Sequence, residues 1–211
     1  DDVTFPMLGE HNVQNCLAAL AVCLEMGLDT ELIRSGLAQF KGIGRRFDIK
    51  GISGGITVID DYGHHPVEIK AALDAGRMYC GENKLIAVVQ PHRYTRLRDL
   101  FADFCACFNE ADHVIVADVY AAGETPLESF EKEQLAEGLR AYGHRSAHLL
   151  DTPNELAESV FGFAQEGDLV MCLGAGSITQ WAADLPAELD RLHSSHQSTG
   201  QSSLTSRKGD L

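Results

Sequence analysis

Long apolar runs are missing from this sequence. The longest, LIAVVQ from Leu85 and DLVMCLGA from Asp168, stop well short of the roughly 18 residues that a membrane-spanning helix needs, so no helical span is expected. Cations are also scarce. Seventeen Lys and Arg stand against thirty-one Asp and Glu, a net charge of −14, which opposes non-specific binding to nucleic acid or to an anionic membrane surface. Any anionic ligand must be held by a local cluster. The six cysteines (Cys16, Cys23, Cys80, Cys105, Cys107, Cys172) form no CxxC and no Cys/His pair of zinc spacing, and they read as reduced core thiols of a cytosolic protein. No GxxxxGK[ST] or HExxH occurs, so this stretch of chain carries neither a phosphate-cradling P-loop nor a zincin helix. The start, DDVTFPMLGEHN, has no initiator Met and no basic segment leading into an apolar one. It reads as a fragment of a longer protein and not as a secretion signal.

What remains, 45% hydrophobic and 23% charged residues over 211 positions, is the composition of an ordinary globular domain. Val13, Leu17, Leu20 and Leu24 recur at helical spacing up to Gly27, which predicts a helix from Asn12 with a glycine at its end. A shorter helix is expected over 29–40, with Thr30 as N-cap and Leu32, Ile33, Leu37 and Phe40 on the apolar face. The loop KGIGRRF then breaks the pattern. Beyond it, expected strands at 56–60, 85–90, 113–118, 148–150 and 169–173 alternate with expected helices at 66–79, 95–109, 131–142, 154–165 and 178–192. This is the signature of an α/β fold, a Rossmann-like open and mostly parallel sheet with helices on both faces. From Ser194 the sequence becomes SSHQSTGQSSLTSRKGD, too polar to bury a core, and a disordered tail is expected.

The polar residues are grouped rather than scattered. DDYGHHP follows one strand, QPHRYTR the next and DVYAAGE the third, so all three should face the crevice at the carboxyl ends of the strands. Asp61 has two readings: a ligand-binding acid, or merely the cap of the helix opened by Pro66. His64 and His65 are adjacent, and neighbouring histidines point apart, which argues against a metal site. Arg93 and Arg96 stand at an expected helix start, where free N–H groups already favour anions, and guanidinium grips a carboxylate or phosphate bidentately. The alternative is an internal salt bridge from these arginines to DDYGHHP. GAGSI after the last strand matches only part of GxGxxG, because Thr179 stands where the third glycine belongs. Close helix-to-strand packing is its first reading and a non-catalytic dinucleotide-binding module its second.

In order, GEHNVQNCLAAL, GIGRRF, DDYGHHPVEI, QPHRYTRLRDL, DVYAAGE and LGAGSI resemble the C-terminal part of the Mur ligases almost continuously from Gly9 to about Ala183. DYGHHP and QPHRYTR resemble most the alanine-adding branch, with the murein-tripeptide-recycling branch as the alternative. The resemblance implies three domains, of which residues 1–44 would be the last helices of a central ATPase domain plus the hinge, 45–192 the C-terminal Rossmann-like domain, and 193–211 the polar tail. It implies a cytoplasmic, ATP-dependent ligase of peptidoglycan-precursor synthesis that uses UDP-N-acetylmuramate and L-alanine. The P-loop and the Mg2+ ligands would lie in the part of the protein outside this chain, which alone would be inactive. Neither nucleic acid nor membrane is an implied partner. Residue by residue, His11, Asn12 and Asn15 match the adenine-reading helix, Arg46 the arginine that reaches the ATP phosphates, and Asp61 the acid that accepts from ribose hydroxyls. His64, Arg93 and Arg96 match the catalytic positions at the amino-acid end, with Tyr62 and His92 in the same substrate-binding phrases. Ala121 stands where the family pattern has proline.

Overall fold

The computed structural model describes residues 2–7 and 9–205, with side chains up to residue 195. Two helices come first, α1 (Glu10–Glu25) and α2 (Thr30–Ala38). They are followed by β1 (Asp48–Ser53), β2 (Ile56–Asp61), α3 (Pro66–Cys80), β3 (Leu85–Val89), α4 (Tyr94–Asp99), α5 (Phe101–Ala106) and β4 (His113–Val116). The remainder is α6 (Lys132–Ala141), β5 (Ala147–Leu149), a 3-10 turn at Pro153–Glu155, α7 (Leu156–Phe163), β6 (Leu169–Leu173) and α8 (Ile178–Thr205).

The six strands form one sheet in the order β1-β2-β6-β3-β4-β5. Only the β1–β2 hairpin is antiparallel. The central strands β2, β3 and β6 are buried at every position, as continuous apolar runs covered on both faces should be. Helices α3, α5 and α6 bury Leu73, Phe104, Leu135 and Leu139 on one face, joined by Phe108 from the turn after α5, and α7 and α8 bury Leu156, Val160, Ile178, Leu185 and Leu189 on the other. The expected mostly parallel α/β sheet with helices on both faces is therefore what forms. Among the described residues no helix is long and apolar enough to cross a membrane.

Several expectations change. Strand β1 was not expected: DIKGIS lies at the sheet edge with a half-exposed, irregular pattern, its register shifting between Ile49 and Gly51. The helix expected over 95–109 divides at Leu100, whose φ of −118° interrupts the helical backbone. The cap of α2 is Asp29 and not Thr30, since Asp29 accepts from the amides of Glu31 and Leu32 at 3.0 and 3.1 Å. On α1 it is Asn12 and Cys16 that are buried, while Val13, Leu17 and Leu24 of the expected apolar face are exposed. The backbone of α8 continues helical to Thr205, through much of the expected disordered tail, because extending an existing helix avoids the cost of nucleating one. Residues 206–211 lie outside the described residues.

Candidate functional site

Three strand ends converge, as the strand-end rule requires. Asp61 ends β2, Gln90 follows β3, and Gly174 follows β6; β2 and β3 flank β6, whose residue Leu173 pairs with both Asp61 and Val89. The Gly174 backbone approaches Gln90 so closely that a Cβ there would stand 2.7 Å from the Gln90 carbonyl, and one at Gly176 would stand 2.6 Å from the Tyr120 ring. The glycines of GAGSI thus serve close packing. Buried Gln90 completes the junction, donating to Ser177 Oγ at 3.1 Å and accepting from the Ile178 amide at 3.1 Å.

Asp61 does not cap the next helix. Its Oδ2 accepts from the Phe47 amide at 2.9 Å and its Oδ1 from the Gly63 amide at 2.8 Å, so it ties the GIGRRF loop to the end of β2. Burial raises its pKa, with the two amide bonds and Arg46 working against that rise. The cap of α3 comes instead from His65, whose ring accepts from the Val67 amide, while Glu68 accepts from the His64 and His65 amides. Asp61 shares a narrow slit of about 10 Å3 with His11, Asn12, Arg46 and Phe47. Asn15 does not line it and is exposed. Four of the five expected nucleotide-side residues are therefore neighbours.

The loops after β2 and β3 meet through their rings. Tyr62 and His64 stand 5.1 Å apart, His64 and His92 5.8 Å, and His92 stacks on Tyr120 at 5.3 Å. Arg96 donates to the His92 carbonyl at 2.9 Å and lies 3.3 Å from its Nδ1. Burial and then the Arg96 charge lower the His92 pKa. His64 Nδ1 is 3.0 Å from the Tyr62 carbonyl and 3.4 Å from Glu68. The exposed guanidinium of Arg93 makes no hydrogen bond or close ion pair among the described residues, although its charge acts on the Glu124 carboxylate. The alternative in which Arg93 and Arg96 pair with DDYGHHP does not form. Asp60 is instead held by Arg45, and Glu68 lies 4.0 Å from Arg46.

Residues 45–176 match the family described as Mur ligase, glutamate ligase domain. The chain belongs to the Mur ligase family. It is 61% identical over 195 residues to the UDP-N-acetylmuramate--L-alanine ligase of Phenylobacterium zucineum, a match covering 92% of this chain and 41% of that protein. It is also 61% identical over 191 residues to the protein of the same name from Rhodospirillum centenum, covering 90% of this chain and 39% of the relative. The chain thus spans about two fifths of the length of these relatives. Among solved structures it is similar to a UDP-N-acetylmuramate-alanine ligase from Thermotoga maritima, with a TM-score of 0.74 and 28% identity over 92% of this chain and 40% of that one.

Within this Mur ligase domain, residues outside the expected set also build the crevice. Arg45 has φ 61°, donates to Asp60 Oδ2 at 3.2 Å and to the Gly174 carbonyl at 2.6 Å, and lies 4.8 Å over the Tyr62 ring. Asp60 also accepts from Thr179 Oγ1 at 2.6 Å. The sequence signal for this pair was a carboxylate at the end of a fully buried strand, which demands a cation. Tyr120 and Glu124, from DVYAAGE, carried no such individual signal.

Proposed function

We propose that this chain is the C-terminal part of a cytoplasmic, ATP-dependent ligase that joins L-alanine to the carboxyl group of UDP-N-acetylmuramate in peptidoglycan-precursor synthesis. The observation that carries the reading is the convergence of DYGHHP and QPHRYTR on one wall of rings, with the Arg93 guanidinium exposed beside it. High identity to relatives that bear the name of this ligase supports it. Residues 1–44 are read as the last helices of the ATPase domain and the hinge, 45–192 as the C-terminal domain, and 193–211 as a polar tail. The family match beginning at residue 45 supports that boundary.

ATP supplies the phosphoryl group that turns the muramyl carboxylate into an acyl phosphate with release of ADP, and the amine of alanine then attacks the acyl carbon and expels phosphate. Its metal, Mg2+, takes its ligands from the rest of the polypeptide. The donor set fits a nucleotide. His11 and Asn12 offer polar contacts on α1 for the adenine edge, with Asn15 outside the slit one turn further along the helix, the buried Asp61 keeps unshared oxygen lone pairs for ribose hydroxyls, and the exposed Arg46 reaches toward phosphate. A slit of about 10 Å3 is smaller than a nucleoside, so α1 must draw back from Asp61 and Phe47 to admit one. Arg93 and Arg96 hold the carboxylate of alanine, His64 lies at the new amide bond, and Tyr62 and His92 wall the subsite. Such catalysis rests on positioning and on stabilising developing charge.

The test is phosphate release from ATP by the full-length polypeptide with UDP-N-acetylmuramate, comparing L-alanine, murein tripeptide and no acceptor. Release that depends on alanine is the expected result. Release with tripeptide alone would assign the acceptor to the recycling branch, and none at all would overturn the ligase reading.

A further inference from the structure

Arg93 holds φ 74° and ψ 130°, a backbone region that a residue with a side chain keeps only where its surroundings impose it. The surroundings that impose it come from one segment, the loop after β4. The Arg93 amide donates to the Tyr120 carbonyl at 2.9 Å, and the Tyr120 amide donates to the Pro91 carbonyl at 2.8 Å. These bonds make a bridge between His92 and Tyr120, outside the strands proper. One residue past the start of α4, Glu124 takes over. Its Oε2 accepts from the Thr95 amide at 3.0 Å and its Oε1 from Thr95 Oγ1 at 2.6 Å.

Helix α4 starts with Arg93 at its N-cap position, and the Arg93 side chain makes no capping bond. A guanidinium cannot make one, having no acceptor. The amide left open in the first turn is therefore satisfied by a carboxylate borrowed from a distant loop. The Thr95 bonds, and after them the Arg93 charge, hold the Glu124 carboxyl below its usual pKa.

We propose that Glu124 is a positioning residue for the amino-acid subsite: it caps α4 from the neighbouring loop and so fixes the backbone that presents Arg93 and Arg96. This rests on the ligase reading above. Geometry, and not charge, is what Glu124 contributes. An acid beside Arg93 weakens that arginine's grip on a carboxylate, so a purely electrostatic role and a positioning role move affinity in opposite directions when Glu124 is removed.

The test measures KM for alanine, KM for ATP and kcat in phosphate release by the full-length polypeptide, with Glu124→Ala and Glu124→Gln. Glu124→Ala is expected to raise the alanine KM by about tenfold or more, since a misplacement of about 1 Å in a positioned group has large kinetic effects, while the ATP KM stays as it was. Glu124→Gln, which still accepts from the Thr95 amide and can donate to its hydroxyl, is expected to return most of that loss. A fall in the alanine KM in both variants, or an equal rise in both substrates' KM, overturns the proposal. Amide exchange at Arg93 and Thr95 in the same polypeptide is a readout free of turnover. Faster exchange in Glu124→Ala than in Glu124→Gln is expected, and unchanged exchange in both overturns the proposal. Should the unsubstituted polypeptide release no phosphate with alanine, the ligase reading fails, and the exchange measurement still decides whether Glu124 holds the 93–95 backbone.

Discussion

Asp60 and Asp61 are neighbours with different work. Asp60 is fully buried and holds Arg45 and Thr179, whereas Asp61 ties down the Phe47 amide at the slit. Asp60→Ala removes the carboxylate partner of the half-buried Arg45 guanidinium, which keeps only the Gly174 carbonyl as an acceptor, and a loss of about 2 kcal/mol is expected in denaturant unfolding. Asp61→Ala should chiefly raise the ATP requirement of the full-length enzyme, while Arg93→Ala and Arg96→Ala should chiefly weaken use of alanine; equal losses for both substrates in all three variants would contradict the assigned roles. A pH effect belongs to a different cluster. Ser146 Oγ lies 2.8 Å from both His113 Nδ1 and His148 Nε2, and burial is the main cause lowering both pKa values. His148, Lys84 and His144 disfavour the charged form of His113 while Asp112 favours it, and Arg140 and His144 disfavour that of His148. Because these rings are harder to protonate folded than unfolded, their contribution is intact above about pH 6.5 and is lost as pH falls through and below that value. Thermal unfolding at pH 7.5 and 5.5 should show a drop that is smaller in His113→Gln. At this scale the grouping of Tyr62, His64 and His92 was legible, because their phrases follow neighbouring strand ends. It was not legible for Tyr120 and Glu124, whose contributions are made through a carbonyl and a reach across loops.

Among the elements, those that bury a continuous apolar run were readable in the sequence, and those shaped by their neighbours were not. Strands β2, β3 and β6 lie close to where their apolar runs fall, but β1 exists because β2 offers it an edge, and DIKGIS has no full alternation of its own. The break between α4 and α5 at Leu100 likewise has no glycine or proline to announce it. Close packing was similarly hidden. On α3, a Cβ at Gly76 would collide with the buried Met171 side chain and come within 3.2 Å of Leu85. Gly76→Ala gains about 1 kcal/mol of helix propensity, and overpacking a fully buried core costs more, about 1–3 kcal/mol. A net fall in unfolding temperature is the expected outcome; a rise would mean that α3 can lift from the sheet without cost.

For the whole molecule, the exposed Val13, Leu17, Leu24 and Leu32 of α1 and α2 contrast with a sheet domain covered on both faces. With the chain spanning about two fifths of its relatives' length and carrying no P-loop sequence, the purified 211-residue chain is expected to release no phosphate from ATP under conditions where the full-length polypeptide does. Turnover by the short chain would contradict the division of labour proposed above. The fold class was legible at this scale because strand and helix patterns alternate, whereas the strand order was not, since no local pattern says which strand inserts between which. That order bears on how the protein is made. A ribosome delivers β2 and β3 long before β6, the strand that sits between them. Until Leu173 has emerged, both wait with an open pairing edge, and a nascent chain with unpaired strand edges is the form most exposed to aggregation. The sheet can be completed only once β6 has been delivered, which makes that strand the step on which the yield of folded protein depends.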